Sequence, residues 1–270
     1  MSAARPKKVY GSTFWGSLII QKRVIWALLL REVITRYGRH NLGFLWLFIE
    51  PMMFTTGVTA LWTLSKVSHG SSLPISAFAL TGYSSVLLWR NMPSRLGGAV
   101  EANFTLMYHR QVKIIDVYAS RIALEFMGAS ASFIVLAVLY TAFGWMSLPV
   151  DILKVVEGWF MLTWFGAALA ILIGALGERS EVVEKLWHPA SYLLFPLSGA
   201  GFMVDWLPTA AQHFVLYLPM VHGVELLRDG WFGNAVTTHY DIQYMAIVCL
   251  CMTAVGLVQV RIVSREVKPA

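Results

Sequence analysis

Ionisable and amide side chains set inside apolar runs are the residues of this sequence best placed to do chemistry. Glu50 stands beside Pro51 in the run that begins at Leu42, and Arg90 stands between Trp89 and Asn91, just ahead of Pro93. A carboxylate in that setting accepts hydrogen bonds from hydroxyls, and a guanidinium offers several donors to phosphate, carboxylate or hydroxyl oxygens. Charge is costly in apolar surroundings, so each group needs a partner or water. Two readings are open: the residues line a polar path, or Glu50 and the Arg90 region form a structural pair. Trp46, Phe48, Tyr83 and Trp89 lie in the same runs. Flat rings stack on the C–H faces of sugars, and the same rings equally serve core packing or an interfacial belt.

Other chemistry is missing. No Gly-Lys dipeptide occurs, so there is no GxxxxGK[ST] phosphate loop and no means of hydrolysing ATP within the chain. The histidines lack the i, i+4 spacing of a zinc helix, so no metal site is expected. Glu178, Glu181 and Glu184 alternate with Arg179 and Lys185, which reads as ion pairing on a solvated helix rather than a catalytic pair. Cys249 and Cys251 sit two apart in an apolar run and read as filler. No catalytic residue and no cofactor are expected in this chain.

The elements that must position Glu50 and Arg90 are membrane helices. With 57% apolar and 13% charged residues and a mean hydropathy of +0.62, the 270 residues are too apolar for a soluble α/β domain. The net charge of +6 therefore reflects which loops face the cytoplasm and implies no nucleic acid. The fold class is all-α and polytopic, with spans near 42–65, 75–95, 118–144, 156–177, 187–204 and 241–262 inside a transmembrane domain of 42–262. All basic residues except Lys66, Lys154 and Arg228 fall on one side of these spans, which puts both termini in the cytoplasm, the last being the tail 263–270. No signal peptide is expected in the opening residues.

Ahead of the first span, within 1–41, Trp26, Leu29, Leu30, Val33 and Tyr37 follow one helix face, with Arg36 among the basic residues around it. This predicts an amphipathic helix lying in the cytoplasmic interface, although Val24 and Leu28 interrupt its polar face. An additional buried helix is the other reading. The stretch 196–239 is apolar but broken by Pro196, Gly199, Pro208 and Pro219, and it contains Glu225 and Arg228. Irregular backbone at membrane depth is tolerated only in protein or beside a wet cavity, so the stretch reads as two short re-entrant helices that gate the outer side, or as a periplasmic loop. Phe104, Leu106, Met107 and Tyr108, beside Arg110 in the segment 101–118, suit a short docking helix for a soluble subunit. Gly166, Ala170 and Gly174 form a small-residue ridge, for packing within the chain or against a second copy.

The run RYGRHNLGFLWLFIEP from Arg36 to Pro51, LLWRN from Leu87 to Asn91, and PLSGAGF from Pro196 with Leu207-Pro208 beyond it resemble the membrane subunits of polysaccharide-exporting ABC transporters. More narrowly they resemble the capsular-polysaccharide export permeases of Gram-negative bacteria. One departure is Leu218-Pro219, where related permeases often carry Asn-Pro. The resemblance implies six spans per subunit, a homodimer in the inner membrane, and two ATP-binding subunits that hold ATP and Mg. It further implies a coupling loop after the second span, a gate of re-entrant helices, and a periplasmic copolymerase with an outer-membrane export protein. The implied cargo is a capsular polysaccharide, lipid-linked, and membrane lipids surround the spans. A permease for another lipid-linked glycan, such as O antigen or teichoic acid, is the alternative. A membrane-embedded glycosyl- or acyltransferase would need a catalytic cluster that the sequence lacks, and an ion-coupled carrier would need broken helices in both halves.

Overall fold

The computed structural model describes residues 14–37, 45–65, 73–107 and 112–266, and among these every regular element is helical. Residues 38–44 of the motif that opens the first span lie outside them, as do Tyr108, Arg110 and the side chains of Arg36 and Tyr37. The helices are α1 (Phe14–Tyr37), α2 (Trp46–Leu64), α3 (Ile75–Leu96), α4 (Ala99–Ala102), α5 (Phe104–Met107), α6 (Ile114–Ala142), α7 (Ile152–Gly177), α8 (Glu181–Leu197), α9 (Thr209–Val215), α10 (Pro219–Phe232) and α11 (Ile242–Glu266). Single 3-10 turns stand at Val204–Trp206 and Gly233–Ala235.

Helices occupy all six stretches read as spans, but among the described residues only 4, α2, α6, α7 and α11, are long and apolar enough to cross a membrane by themselves. The reason that α3 is not among them is positional. It lies at the centre, packed on α2, α6 and α7, and is buried almost continuously from Ser76 to Trp89. Protein rather than lipid surrounds it, so hydroxyls are tolerated where a span facing lipid would need hydrocarbon. Thr81 and Ser85 turn theirs back onto the carbonyls of Ala77 and Thr81. The fifth stretch departs from expectation in its bounds. α8 has 17 residues, opens on Glu181 and Glu184, carries Pro189 and Pro196, and stops at Leu197 instead of continuing to 204. Gly199, at φ 82°, takes the left-handed conformation that ends a helix without a side-chain clash.

The small-residue ridge of α7 serves packing within the chain. A Cβ on Gly166 would stand 2.9 Å from the Cα of Trp89, and one on Gly174 would stand 2.9 Å from the Cβ of Leu96, so α3 lies directly on the ridge. Gly158, two turns earlier, admits the backbone of Leu227 from α10 in the same way. Close approach of this kind replaces the hydrophobic drive that is absent between helices in lipid.

The face expected of α1 stays outward at Trp26 and Leu30, while Leu29 is buried and Val33 half-buried at its edge; Leu28 and Val24 turn inward to the core. The inward stripe runs through Gln21, Val24, Ile25, Leu28, Leu29, Glu32 and Val33 against α6. Polar members of the stripe fasten the inward side: Gln21 Nε2 donates to Asp116 Oδ1 at 2.7 Å, and Glu32 pairs with Arg121 at 3.1 Å. The apolar side left outward carries Trp15, Ile19, Trp26, Leu30 and Ile34. Thus α1 is apolar on two sides, one for protein and one open.

If α3 needs the ridge, Gly166→Leu destabilises the subunit by about 1–3 kcal/mol through overpacking, whereas Gly57→Ala, with open space around its Cβ, is neutral or stabilising. Thermal unfolding of the detergent-purified protein checks this, with a lower midpoint expected for the first variant alone.

Candidate functional site

Glu50 and Arg90 line one cleft. It has a volume of about 470 Å³, lies between α2, α3 and α6, and is bounded by Leu47, Glu50, Pro51, Phe54, Arg90, Asn91, Arg95 and Glu125 among others. The direct pair between Glu50 and Arg90 does not form. Arg95, one helical turn beyond Asn91, takes both carboxylates instead: its Nε stands 3.2 Å from Glu125 and its Nη2 stands 3.9 Å from Glu50. The Arg90 guanidinium lies over the Tyr192 ring, 4.2 Å from its centroid, and its Nε donates weakly to Ser191 Oγ at 3.5 Å. Among the described residues it pairs with no carboxylate. Close packing of α2 on α6 shapes the floor of the cleft, since Gly128 leaves room for the Leu47 side chain and for the Leu47 carbonyl that Pro51 cannot serve.

The aromatic residues expected along the path separate. Trp89 is fully buried on the opposite side of α3, edge-on to Phe165 of α7, so it belongs to the core and faces away from the cleft. Tyr83 is buried as well, in a ring cluster with Phe54, Trp62 and Phe195. Trp46 is exposed at the first turn of α2, and Phe48 is half-buried. Arg95 and Glu125 complete the cleft, and sequence reasoning misses both. Arg95 counts there only among the cytoplasmic charges, although its spacing from Glu50 across two helices of opposite direction is open to reading.

At the other end of the bundle α9 and α10 fill the stretch between α8 and α11. Pro196 lies in the last turn of α8, Pro208 precedes α9, and Pro219 occupies the first position of α10, where its missing N–H costs nothing. Glu225 and Arg228 of α10 are both fully buried. Arg228 donates from Nη1 to the carbonyls of Gly199 and Phe202, each at 2.6 Å, and from Nη2 to that of Ala200 at 2.7 Å, while its plane covers Phe78 of α3 at 3.8 Å. Glu225 accepts from the amides of Val204 at 3.2 Å and His239 at 3.0 Å. One face of α10 therefore holds the irregular backbone on both of its sides. Gly82 makes this possible, because a Cβ there would overlap the Ala200 oxygen. Lys154 is likewise engaged, with Asp229 at 2.8 Å.

At the basic end, α4 and α5 stand in the segment expected to dock a soluble subunit. Phe104 is exposed, while Leu106 and Met107 are half-buried against the core. Arg31 of α1 donates to Asn103 Oδ1, and Asn103 Nδ2 donates to the Ala99 carbonyl at 2.9 Å. Lys185 and Glu181 form the exposed i, i+4 pair that the sequence suggests, at 2.9 Å. Glu178 does not join them: it reaches across to accept from the Val100 amide at 3.0 Å. Burial raises its carboxyl above the usual range, the Val100 N–H pulls it back down, and Glu184 and Glu101 raise it further.

Residues 23–232 match the family model described as ABC-2 type transporter. The chain belongs to that family. Members are transport permeases, with ATP hydrolysis in a separate subunit. The ABC-2 chain is 41% identical over 258 residues to the capsule polysaccharide export inner-membrane protein BexB of Haemophilus influenzae, covering 96% of this chain and 97% of that protein. It is 39% identical over 263 residues to the capsule polysaccharide export inner-membrane protein CtrC of Neisseria meningitidis serogroup B, covering 97% and 99%. The polysialic acid transport protein KpsM of Escherichia coli is more distant, at 27% over 241 residues, covering 88% and 92%.

Truncating Arg228 strands three backbone carbonyls, whereas Arg90 borders an open cleft. Arg228→Ala therefore costs this ABC-2 subunit about 3 kcal/mol or more, at about 1–3 kcal/mol for each buried acceptor left without its donor. Arg90→Ala leaves its thermal midpoint nearly unchanged. Equal midpoints for the two variants would contradict the burial assigned to Arg228.

Proposed function

We propose that this chain is the membrane subunit of an ATP-driven exporter that moves capsule polysaccharide across the bacterial inner membrane. The observation that carries the reading is similarity over almost the whole length to proteins named for capsule polysaccharide export. The cleft fits that cargo. Asn91, Arg90, Arg95, Glu50 and Glu125 offer donors and acceptors of both kinds, as hydroxyl-rich chains require, and the unneutralised Arg90 suits carboxylate or phosphate on the chain. Substrate is engaged at Arg90 and Glu50, with Trp46 and Phe48 at the mouth. ATP and Mg are held by two copies of a separate subunit, docked at α4, α5 and the residues through Tyr108 and Arg110.

The subunit crosses the membrane six times in this reading and works as a homodimer, with both termini cytoplasmic. α3 crosses inside the protein envelope, where it need not be apolar all round, and α8, with only Trp187 and Ser191 buried, crosses at its edge. The charge pattern supports the orientation. At the end assigned to the periplasm, Lys154 is paired with Asp229 and Arg228 is buried, so neither is a loop charge of the kind that holds a segment in the cytoplasm. The segment from Pro196 through α10 gates the outer side, and a periplasmic copolymerase and an outer-membrane export protein receive the polymer. Export of a different lipid-linked glycan uses the same geometry and differs only in the sugars.

Topology is checked by membrane-impermeant thiol labelling in a cysteine-free background. Cysteine at Ser71 labels from outside intact cells and cysteine at Ser2 does not; labelling of both from one side removes the six-span arrangement. Export is checked with Arg90→Ala. Surface polymer falls at least tenfold, roughly the loss of a charge-assisted contact, while subunit abundance holds, and Arg90→Lys retains part of the activity because charge survives without the fork. Normal surface polymer in Arg90→Ala would remove the cleft from the path.

A further inference from the structure

The connection between α7 and α8 reaches the segment assigned to ATPase coupling through its carboxylates. α4 comes directly after Gly97-Gly98, and Gly98, at φ 61°, has no side chain with which to cap the helix. The first amides of any helix lack partners within it. That of Val100 finds one on another element, Glu178 Oε1, at 3.0 Å. Glu178 directly follows α7, and among the described residues it forms no ion pair. From the same connection, Glu184 in the first turn of α8 lies against Gly97, where a Cβ would stand 2.7 Å from its Oε1. Two carboxylates from one connection thus straddle the two-glycine joint that leads into α4.

α8 continues from that connection to the cleft. Trp187 Nε1 donates to Ser94 Oγ at 3.0 Å, and one turn later Ser191 and Tyr192 hold the Arg90 guanidinium. We infer that Glu178 is a positioning residue for transport, fastening the coupling segment to the α7–α8 connection so that displacement of α4 and α5 moves α8 and, through it, Arg90. The inference rests on the reading that α4 and α5 face the ATPase. Among the described residues the hydrogen-bond partner of this half-buried carboxylate is one backbone amide. Burial of the carboxylate costs stability, and the amide returns part of that cost while fixing position.

The test uses the complete complex of permease and ATP-binding subunit in proteoliposomes, with polymer transported per ATP hydrolysed as the readout. A structural role alone leaves that ratio unchanged. Glu178→Ala assembles and hydrolyses ATP at near-parent rates but moves about tenfold less polymer per ATP, the equivalent of one hydrogen bond to a charged group. Glu178→Gln, whose amide oxygen still accepts from Val100, retains most of the ratio. Val100→Pro removes the donor at a first-turn position that tolerates proline, reproduces Glu178→Ala, and adds nothing when the two are combined. An unchanged ratio in Glu178→Ala, or a loss in Glu178→Gln equal to that in Glu178→Ala, overturns the link. Transport that falls only in proportion to assembled complex makes Glu178 structural and overturns it as well. A parent complex that hydrolyses ATP but moves no polymer overturns the functional reading itself, independently of Glu178.

Discussion

A guanidinium sealed from water must find acceptors, and in Arg228 that requirement organises the end of the molecule built from α8, α9 and α10. Its donors reach Gly199, Ala200 and Phe202, the stretch where α8 has ended and the chain has no helix of its own. The exchange is mutual. Carbonyls at membrane depth that no helix satisfies would cost several kcal/mol each, and the buried cation would cost more alone. Together they fix a non-helical segment against α3 and α10, with Phe78 beneath the cation and Gly82 giving the room. Glu225 extends the same solution to Val204 and His239, so a single short helix holds backbone that precedes it and backbone beyond it.

Arginines in this subunit divide by what surrounds them. Arg228 is buried, with both terminal nitrogens bound to backbone carbonyls. Arg121 binds the Arg95 carbonyl and pairs with Glu32, joining α6 to α1 and to the end of α3. Arg95 is shared between two carboxylates. Arg90 borders the cleft with only a ring and a long hydroxyl contact. The same side chain therefore serves as staple, tie and cleft-lining group. Available acceptors decide which, because the low dielectric makes each unmet donor expensive and each open one attractive to substrate.

The transport reading joins the two ends through a central helix, α3, that is buried over most of its length. α3 is wrapped by α2, α6 and α7, and α7 in turn carries α10 and α11. Glycines at contact points keep these axes close, so movement of one helix is felt by its neighbours as a packing change. That is the physical setting in which a small shift at α4 can matter at Arg90, some turns away along α8.

Sequence alone determined the features that depend on composition and period. Apolar runs of bilayer length, the breaks at Pro196, Gly199, Pro208 and Pro219, the sidedness of the basic residues and the motifs shared with export permeases all depend on residues near each other in the chain. They located each major helix, with α8 displaced the most, and they put Glu50 and Arg90 in one neighbourhood. Tertiary structure decided who meets whom. Glu50 turned to Arg95 rather than Arg90, Trp89 went to the core, α1 packed Leu28 and Val24 inward with Gln21 and Glu32 bound to α6, and Glu178 left its helix neighbours for Val100. Helical period gives two or three allowable faces to a helix that is apolar nearly all round, and the choice among them is made by hydrogen-bond partners tens of residues away. Polar groups in an apolar protein have few places to go, so those distant partners, and not the local pattern, settle which face turns inward.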